Sequence, residues 1–565
     1  MRVSSISSTG ADLRLRIRFA HVSIACALLA TGVSGTTAAA SGVTVDPAVR
    51  RALVNVSPDV RTAVIIRTTG AASAVRARLT RARNLQSTYV LPNTVLGEIG
   101  KADLQTLASD PDVVHISLDA SVAAPADGDP VTDGATASQL LRATLGVSSR
   151  DPGGRGVGIA VIDSGIQPMA GLTPVASFDF TRDGQQVAAS DEYGHGTHVA
   201  GLIGAGAIAG DQMQGIAPLA RLVSLRVLDA EGLGLTSAAI QALDFAVANR
   251  RRLGIDIVNL SLGHPITEAA ADDPLVAAVE AATRAGLVVV VAAGNRGRGS
   301  EGGRVYGGIL SPANAPSAIA VGAVDTRATV TRTDDSVAAY SSRGPTRFDH
   351  QVKPDLVAPG HNLISAGATD SLLYQRYVDR QVDGAPNRRY LRLSGTSMAA
   401  AVTSGVVALM IAAERAAGAA EMSPTAIKAM LQFTAIDVPG EDHLAEGAGV
   451  LNARGALDLL KARLTRRTST SEPATLDVTP FSSVGTETYM WTQTIVWGNT
   501  IVWGNTIVWG NTIVWGNTVD GSNGDALWGS TIVWGNGWVP SSEDVVVGLR
   551  DVWSTAMDED FQVEK

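Results

Sequence analysis

The chain contains one cysteine among its 565 residues, so no disulfide bond forms within it. That residue, Cys26, lies in a mostly apolar run, residues 19–30, which follows Arg14, Arg16 and Arg18 and precedes Ala38-Ala39-Ala40. A basic region, an apolar region and small residues in this order are typical of a secretory signal peptide. We therefore expect residues 1–40 to be removed and the protein to be secreted. A lipoprotein anchor at Cys26 is the alternative, although Ser23-Ile24-Ala25 matches a lipobox poorly.

Clustered charge and long apolar runs are also scarce. The formal net charge is -9, and no basic tract is present, which argues against a nucleic-acid partner. After the N-terminal stretch, no apolar run reaches the 18 uninterrupted residues or so of a membrane span. Aromatic residues make up 4% of the chain, and all nine tryptophans lie at Trp491 or beyond. The C-terminal region therefore differs in kind from the rest.

The length predicts two or three domains. Residues 61–119 alternate between strand-like and helix-like segments, which predicts a small α+β domain. The predicted strands are residues 62–66, 87–91, 95–99 and 113–118, and the predicted helices are residues 72–79 and 102–108. Residues 120–135, rich in Ala, Asp, Gly and Pro, are expected to form a linker that is easily processed.

The central part of the chain alternates apolar runs with Ala-rich helical segments. The predicted strands are residues 158–162, 222–227, 255–260 and 287–291, and the predicted helices between them are residues 237–249 and 273–285. Largely apolar strands of this kind fill a parallel sheet that is covered on both faces. This series predicts a three-layer α/β domain with a mostly parallel sheet, over residues 133–460.

Beyond this domain we predict a linker, residues 461–490, a repeat region, residues 491–540, and an acidic tail, residues 541–565. The hexapeptide Thr-Ile-Val-Trp-Gly-Asn occurs four times without a gap in residues 494–517 and again at residues 531–536. A six-residue period equals three strand dyads, so in a continuous strand Ile, Trp and Asn share one face. Two readings stay open: the tryptophans bind other surfaces or other copies of the chain, or they stack within a solenoid or on the preceding domain and bind nothing.

Three short motifs carry residues suited to acyl transfer. They are residues 161–165 (Val-Ile-Asp-Ser-Gly), 194–201 (Gly-His-Gly-Thr-His-Val-Ala-Gly) and 395–400 (Gly-Thr-Ser-Met-Ala-Ala). A serine hydroxyl attacks a carbonyl only when a base takes its proton and a carboxylate orients that base. Asp163, His195 and Ser397 offer these three groups. Alone, such an aspartate or serine is commonly a helix cap, but the coincidence of three motifs favours catalysis.

The motifs, in the order Asp, His, Ser, resemble those of the subtilisin-like serine peptidases (subtilases). The resemblance continues through residues 340–345 and 353–360 and covers about 300 residues. It implies a subtilisin-like α/β domain that hydrolyses peptide bonds through an acyl-enzyme. It also implies a zymogen, in which residues 41–125 form a propeptide that chaperones folding and then inhibits the active site. The alternative is a non-catalytic adhesion or binding protein that acts through its C-terminal repeats.

The resemblance assigns further residues. It implies that Asn295 stabilises the oxyanion and that His198 is a structural partner rather than the catalytic base. Residues expected to contact the substrate are Gly232 and Gly234, at an edge that pairs with peptide backbone, and Ser261, Leu262, Gly263, Ala292 and Gly294, around the primary specificity pocket. The chain has Ala401 and Thr403 where the family usually has proline and valine, and we expect activity to be retained.

Calcium is expected as a structural ion in this family, and no cofactor is required for the chemistry. Three acidic residues, Asp179, Asp183 and Asp191, precede His195. Their spacing fits no defined calcium loop, so we assign no metal ligands from the sequence.

Overall fold

The computed structural model describes residues 43–507, except 55, 58, 71, 125–137, 208–212, 384–387, 467–478, 498–499 and 504–505. The predicted signal peptide, the acidic tail and most of the hexapeptide repeats lie outside the described residues.

The N-terminal domain is a five-stranded sheet with three helices. Its elements are β1 (Thr44–Val45), α1 (Pro47–Leu53), β2 (Thr62–Thr68), α2 (Ala72–Ala77), β3 (Ala82–Asn84), β4 (Thr94–Ile99), α3 (Lys101–Leu107) and β5 (Val113–Leu118). The strand order is β1-β5-β2-β4-β3. Val64 and Ile66 of β2 are buried in the core of this domain, whereas Ile65 is buried among residues of the following domain. One face of the sheet thus packs on its own helices and the other on the larger domain.

The larger domain contains a nine-stranded, mostly parallel sheet and several small strand pairs. Its strands are β6 (Ser121–Ala123), β7 (Gly158–Asp163), β8 (Ala176–Asp179), β9 (Gln185–Gln186), β10 (Arg221–Arg226), β11 (Leu233–Leu235), β12 (Ile257–Leu260), β13 (His264–Pro265), β14 (Val288–Ala292), β15 (Leu310–Ser311), β16 (Ile319–Asp325), β17 (Ser336–Val337), β18 (Leu356–Pro359), β19 (Leu363–Ala366), β20 (Gln381–Asp383) and β21 (Arg389–Leu393). The main sheet has the order β17-β16-β14-β12-β7-β10-β8-β9, and β18 also pairs with β16.

Helices cover both faces of the main sheet. They are α4 (Ser138–Thr144), α5 (His195–Gly204), α6 (Thr236–Leu253), α7 (Pro274–Arg284), α8 (Leu372–Arg376), α9 (Thr396–Ala416), α10 (Pro424–Phe433), α11 (His443–Glu446) and α12 (Ala453–Arg466), with a short 3-10 helix at Val378–Arg380. Central strand β7 alternates between the layers: Ile159 and Val161 pack with α5 and α9, and Ala160 and Ile162 pack with α6 and α7. The predicted three-layer α/β architecture is confirmed.

Helix α9 is the one helix among the described residues that is long and apolar enough to cross a membrane. Nearly all of it is buried inside the larger domain, where it packs between α5, α12 and the main sheet. Its apolar composition is therefore explained by its central position in the core.

The C-terminal part differs from the predicted linker over residues 461–490. Helix α12 continues to Arg466, and β22 (Phe481–Val484) and β23 (Glu487–Met490) form an antiparallel hairpin. Trp491, which follows the hairpin, is 2% exposed and belongs to the main core. Its indole N–H donates to the Ser482 hydroxyl across 2.8 Å, and its ring meets Phe433 edge to face. Composition alone suggested a linker, because the contacts of Trp491 are made with Phe433, which is distant in the sequence, and with Ser482, on the other strand of the hairpin.

The hexapeptide repeats do not form one continuous strand where the structure describes them. Strands β24 (Thr494–Trp497), β25 (Thr500–Trp503) and β26 (Thr506–Ile507) are antiparallel, with Thr494 opposite Trp503 and Trp497 opposite Thr500. In the first two repeats, the residues Thr-Ile-Val-Trp form one strand each, β24 and β25. The expected continuous strand was wrong, because β24 and β25 run in opposite directions. The predicted position of the repeat asparagines on the same face as Ile and Trp lies outside the described residues.

Candidate active site

Asp163 and His195 meet at the carboxyl edge of the main sheet. Strand β7 ends at Asp163, which is fully buried, and α5 begins at His195 after Gly194, whose φ of 101° is a left-handed conformation that suits glycine. The His195 Nδ1 lies 2.8 Å from Oδ1 and 3.0 Å from Oδ2 of Asp163. A carboxylate accepts hydrogen bonds, so Nδ1 carries the proton and Nε2 carries the lone pair. This is the tautomer that a general base at Nε2 requires.

A second buried carboxylate joins the end of this strand to the start of this helix. Asp191 accepts hydrogen bonds from the backbone N–H of Gly194 and Thr197, from the Thr197 hydroxyl and from the Ser164 hydroxyl, at 2.6–2.8 Å. The Ser164 oxygen in turn accepts from the Gly196 N–H at 3.0 Å. Burial raises the pKa of Asp191, and these hydrogen bonds oppose the rise. The network holds the first turn of α5 against the residue next to Asp163.

Tyr193 also contacts this region, and no pattern in the sequence predicts it. Its ring centroid lies 6.4 Å from that of His195, and burial raises its pKa to about 12, so the hydroxyl stays protonated. A Cβ atom on Gly232, whose φ is 79°, would collide with this ring. Glycine at position 232 therefore lets the chain pass over Tyr193 next to the candidate base.

Ser397 lies in the first turn of α9, which packs against α5. It is 1% exposed, and its hydroxyl donates to the Ser261 carbonyl oxygen at 3.3 Å. The Ser261 hydroxyl donates to the Ser397 carbonyl oxygen at 3.0 Å. The position at a helix N-terminus gives a developing negative charge near Ser397 the favourable end of the helix dipole.

The orientation of Asn295 follows from its two donors. Its Oδ1 accepts from both the backbone N–H and the hydroxyl of Thr396, each at 3.0 Å. A backbone N–H only donates, so the acceptor must be the amide oxygen, and the amide NH₂ is left on the other side. That Nδ2 lies 3.2 Å from where a Cβ on Gly395 would stand. Asn295 thus presents a hydrogen-bond donor beside the start of α9.

A short strand from the end of the N-terminal domain lies in the expected substrate position. Strand β6 pairs antiparallel with β11, with Val122 opposite Gly234. On its other side, the Ala123 N–H donates to the Gly263 oxygen at 3.2 Å, and the Gly263 N–H donates to the Ala123 oxygen at 3.1 Å. Val122 is buried in the same cluster as Leu262. Part of the predicted linker, residues 120–135, is therefore an ordered strand between two edges of the larger domain.

Two further predicted contact residues follow β14, on the Asn295 side of the site. Ala292 is buried at the end of that strand, and Gly294 has a φ of 112°. A Cβ atom on Gly294 would stand 2.7 Å from Leu310 Cγ and 2.8 Å from the Ser342 hydroxyl. The glycine is required by this close packing, and its N–H donates to the Thr396 hydroxyl at 3.1 Å.

The N-terminal domain is held on α6 by a carboxylate. Asp244 accepts from the backbone N–H groups of Thr88, Tyr89 and Val90 at 3.1, 2.7 and 2.6 Å, and from the Ser87 hydroxyl at 3.1 Å. The strand predicted at residues 87–91 was wrong, because these backbone N–H groups point at one acceptor instead of at a neighbouring strand.

The second histidine of the His195 motif has a different environment. His198 is fully buried, and its Nε2 donates to the carbonyl oxygens of Leu363 and Leu391 at 3.2 and 3.0 Å. Burial lowers its pKa to about 3, so it is neutral at working pH. Its hydrogen bonds join α5 to β19 and β21, so the role of His198 is structural.

The residues that depart from the family pattern leave α9 intact. Ala401 is fully buried, and the Thr403 hydroxyl donates to the Ala399 oxygen at 2.9 Å, one helical turn earlier. The helix runs without interruption over Thr396–Ala416. Alanine at position 401 therefore keeps the N–H that proline would lack.

The acidic residues before His195 do not come together as a cluster of metal ligands in the described part of the chain. Asp191 is fully engaged as described, and Asp179 accepts from the backbone N–H and hydroxyl of Thr181. Within the described part of the chain, no group of three or more His, Cys, Asp or Glu side chains is placed to hold a metal ion. No step of the chemistry below depends on a metal.

Comparison with known proteins agrees with this architecture. Residues 154–456, more than half of the chain, match the model of the subtilase family. The serine protease AprX of Bacillus subtilis is 34% identical over 336 residues, which cover 58% of this chain and 71% of that protein. The major intracellular serine protease of the same species is 34% identical over 286 residues, or 49% of this chain and 75% of that protein.

A solved structure shares the fold. Fervidolysin from Fervidobacterium pennivorans, described as a keratinolytic enzyme related to subtilisin, aligns with a TM-score of 0.57 at 19% identity. The alignment covers 74% of this chain and 63% of that one, so this chain spans less than two thirds of the fervidolysin structure. Together with the family match, these likenesses show that the chain belongs to the subtilases, the subtilisin-like serine endopeptidases.

Proposed function

We propose that the chain is the zymogen of a secreted endopeptidase that uses an Asp163-His195-Ser397 triad and is inhibited by its own N-terminal domain. The observation that carries this proposal is strand β6, which hydrogen-bonds on both sides to the peptidase while continuing directly from the N-terminal domain. Substrates are proteins or peptides, as the family implies.

In the proposed reaction, His195 is the general base and then the general acid. Its Nε2 takes the proton of Ser397 as the hydroxyl attacks the scissile carbonyl and later returns the proton to the leaving amine. Asp163, at 2.8 Å from Nδ1, keeps the tautomer and stabilises the imidazolium. The 3.3 Å hydrogen bond from Ser397 to the Ser261 oxygen has to be given up when the hydroxyl turns to the base.

The oxyanion that forms on the scissile carbonyl needs donors fixed in advance. The Asn295 Nδ2 is one, because Thr396 holds the amide oxygen and so sets the direction of the NH₂ group. The backbone N–H of Ser397, at the helix N-terminus, is the second. Both donors are held before substrate binds, so they need no reorganisation during the reaction.

Inhibition follows from the place of β6. An extended substrate would add a strand between β11 and Gly263, which is a common way to bind peptide backbone. Residues 121–123 already fill that position, and Asp244 holds the rest of the N-terminal domain on α6. In this proposal, cleavage after about residue 125 and release of the propeptide, residues 41–125, produce the mature enzyme.

Secretion is inferred from the predicted signal peptide alone. One relative is named as an intracellular serine protease, so family membership does not decide the compartment. A structural calcium ion, expected from the family, stays a proposal outside the chemistry; a lower melting temperature in a chelator would support it.

The test is the state of the protein after expression. Ser397→Ala should accumulate as a precursor that still carries residues 61–119. An organofluorophosphonate probe should label the parent protein at Ser397 and should not label Ser397→Ala. Ser404→Ala, on the same helix, is the matched control, because the Ser404 hydroxyl donates to Asn259 at 2.9 Å and has no part in the proposed reaction. If the purified Ser397→Ala protein reaches mature size without other proteases, autoprocessing is wrong. If the parent protein is not labelled, the chain acts by another means, such as binding through its repeats.

A further inference from the structure

The N-terminus of α6 is capped by a residue from outside the peptidase domain. The residue before the helix is Leu235, whose side chain cannot cap it, and the first turn contains no acidic residue. The missing acceptor is Asp119, whose Oδ1 accepts from the Ser237 N–H at 2.9 Å. The Ser237 hydroxyl also hydrogen-bonds this carboxylate. The neighbouring helix α7, by contrast, carries its own cap, Asp273.

The chain on either side of Asp119 is fixed by backbone hydrogen bonds. The Ala120 oxygen accepts from both the N–H and the hydroxyl of Thr236, at 2.9 and 3.0 Å. Residues 121–123 then pair with β11, and Ala123 bonds Gly263. These contacts use only the backbone of residues 120–123, so any peptide on this path would be held in the same register. In that register, the side chain four residues before the residue bonded to Gly263 lies at the N-terminus of α6.

A peptidase side chain beside this position has unused hydrogen-bonding capacity. His264 follows Gly263, is 5% exposed, and has no hydrogen-bond partner for Nε2 among the described residues. Burial raises the pKa of Asp119, and an electrostatic contribution from His264 opposes the rise. Arg83 acts on Asp119 in the same direction, but it belongs to the N-terminal domain and would leave with it. His264, Thr236 and Ser237 stay with the mature enzyme.

We propose that Thr236, Ser237 and His264, at the N-terminus of α6, form a distal substrate subsite that selects an aspartate or glutamate four residues before the residue bonded to Gly263. The inference rests on the proposed function, because it assumes that substrates follow the path of β6. It predicts that the enzyme prefers protein segments with an acidic residue upstream of an extended, small-residue stretch. In the zymogen, Asp119 occupies this subsite.

The test uses a pair of peptides with the sequence of residues 117–128 in one reaction with the processed enzyme. One peptide keeps Asp at position 119, and the other has Asn. Mass spectrometry of the mixture gives the ratio of the two kcat/KM values, and the expected preference for Asp is about threefold to tenfold, from charge-assisted bonding at a helix N-terminus. Moving the Asp to position 118 or 120 should abolish the preference, because neighbouring side chains of a strand point to opposite faces. If neither peptide is cleaved, their inhibition constants against casein hydrolysis are compared in the same way.

Two variants separate charge from size. Ser237→Asp places a carboxylate in the first turn, where it suits the helix dipole and repels an acidic substrate, so the Asp to Asn ratio should fall to about one. Ser237→Asn, of matched size, should keep a ratio well above that of Ser237→Asp. A ratio near one in the unsubstituted enzyme, or an equal preference for Asp at positions 118 and 120, would overturn the subsite. Probe labelling of Ser397 in the same sample distinguishes that result from failure of the proposed function, in which no labelling and no cleavage would occur.

Discussion

The Tyr489 hydroxyl oxygen accepts a hydrogen bond of 2.8 Å from the backbone N–H of Arg332, 157 residues earlier in the chain. Arg332 is itself buried and also donates from its guanidinium to the Thr144 oxygen at 2.8 Å. The C-terminal hairpin therefore covers a polar part of the peptidase interior. Beyond it, Thr492 and Gln493 donate backbone hydrogen bonds to the oxygens of Ala435 and Phe433.

The position at which the chain is truncated should decide whether the peptidase folds. A chain that ends after Ile495 keeps Tyr489 and Trp491 and should retain its stability and its activity on small peptides. A chain that ends after Val478 loses both and leaves a large hole in the core. Loss of a buried tryptophan alone costs about 3–5 kcal/mol, so the shorter chain should be unstable or insoluble. Denaturant unfolding of both chains, carrying Ser397→Ala to prevent self-digestion, measures the difference.

Single substitutions in the same segment give a finer comparison. Trp491→Ala should lower the free energy of unfolding by about 3–5 kcal/mol, whereas Met490→Ala, at a neighbouring exposed position, should change it by less than about 0.5 kcal/mol. Equal effects would mean that residues 479–495 are not part of the folded peptidase.

Asn295→Ala should lower kcat by about 10²–10³-fold with little change in KM, because the amide donor acts mainly on the transition state. That magnitude is the one known for the oxyanion asparagine of subtilisin and is carried over through family membership. Thr396→Val, which removes one of the two donors that hold the Asn295 oxygen, should reduce kcat by a smaller factor. Steady-state kinetics on one peptide substrate measure both, and an unchanged kcat in Asn295→Ala would assign the oxyanion to other groups.

Asp244→Asn should speed release of the N-terminal domain. The charged acceptor of three backbone N–H groups becomes neutral, and one charge-assisted hydrogen bond contributes about 1.5–3 kcal/mol, so release should be roughly 10–100-fold faster. The time course of activity after processing measures release, with Asp183→Asn at an exposed position as the control. The same time course in both variants would contradict a role for Asp244 in holding the domain.

Glu446 should make stability depend on pH. Burial, as the largest cause, and the nearby Asp437 and Glu441 raise its pKa from 4.5 to about 8, although the hydrogen bond from the Val438 N–H opposes the rise. The folded state then binds the proton more tightly than the unfolded state, so this contribution to stability is complete below about pH 4.5 and is lost as the pH rises through about 8.

Glu446→Gln keeps the shape of the side chain and removes its titration. In the Ser397→Ala background it should flatten the fall in melting temperature between pH 5 and pH 8 or so, whereas Glu301→Gln, at an exposed site, should leave the fall unchanged. A parallel fall in both variants would show that other groups cause it.

Some features of the fold could be predicted because local pattern determines them. The apolar run before Asp163 is long enough for one strand, and a strand between helices on both faces delivers its last residue to the carboxyl edge of the sheet. The structure places Asp163 and His195 there, within hydrogen-bond distance. Strand β12 and the helices α6 and α7 also lie within a few residues of their predicted bounds.

Other features could not be predicted because they depend on contacts between distant residues. Asp244 accepts hydrogen bonds from residues 87–90, which lie more than 150 positions earlier in the chain. No local pattern distinguishes those residues from a strand. The sequence pattern assigns Trp491 to the repeat region, and only its contact with Phe433 shows that it belongs to the core of the peptidase. No role could be assigned to Asp191 from the sequence, and only the structure shows that four protein donors surround its carboxylate.

Strand β6 has one more consequence for how the proposed zymogen would become active. While the chain is intact, the inhibiting segment is tethered to the cleft, and its effective concentration there is set by the linker and not by the amount of protein. A single cut beyond residue 124 changes inhibition into binding between two separate molecules, which weakens as the mixture is diluted. After the same cut, the enzyme would therefore stay inhibited where the protein is concentrated and become active after dilution into a larger volume.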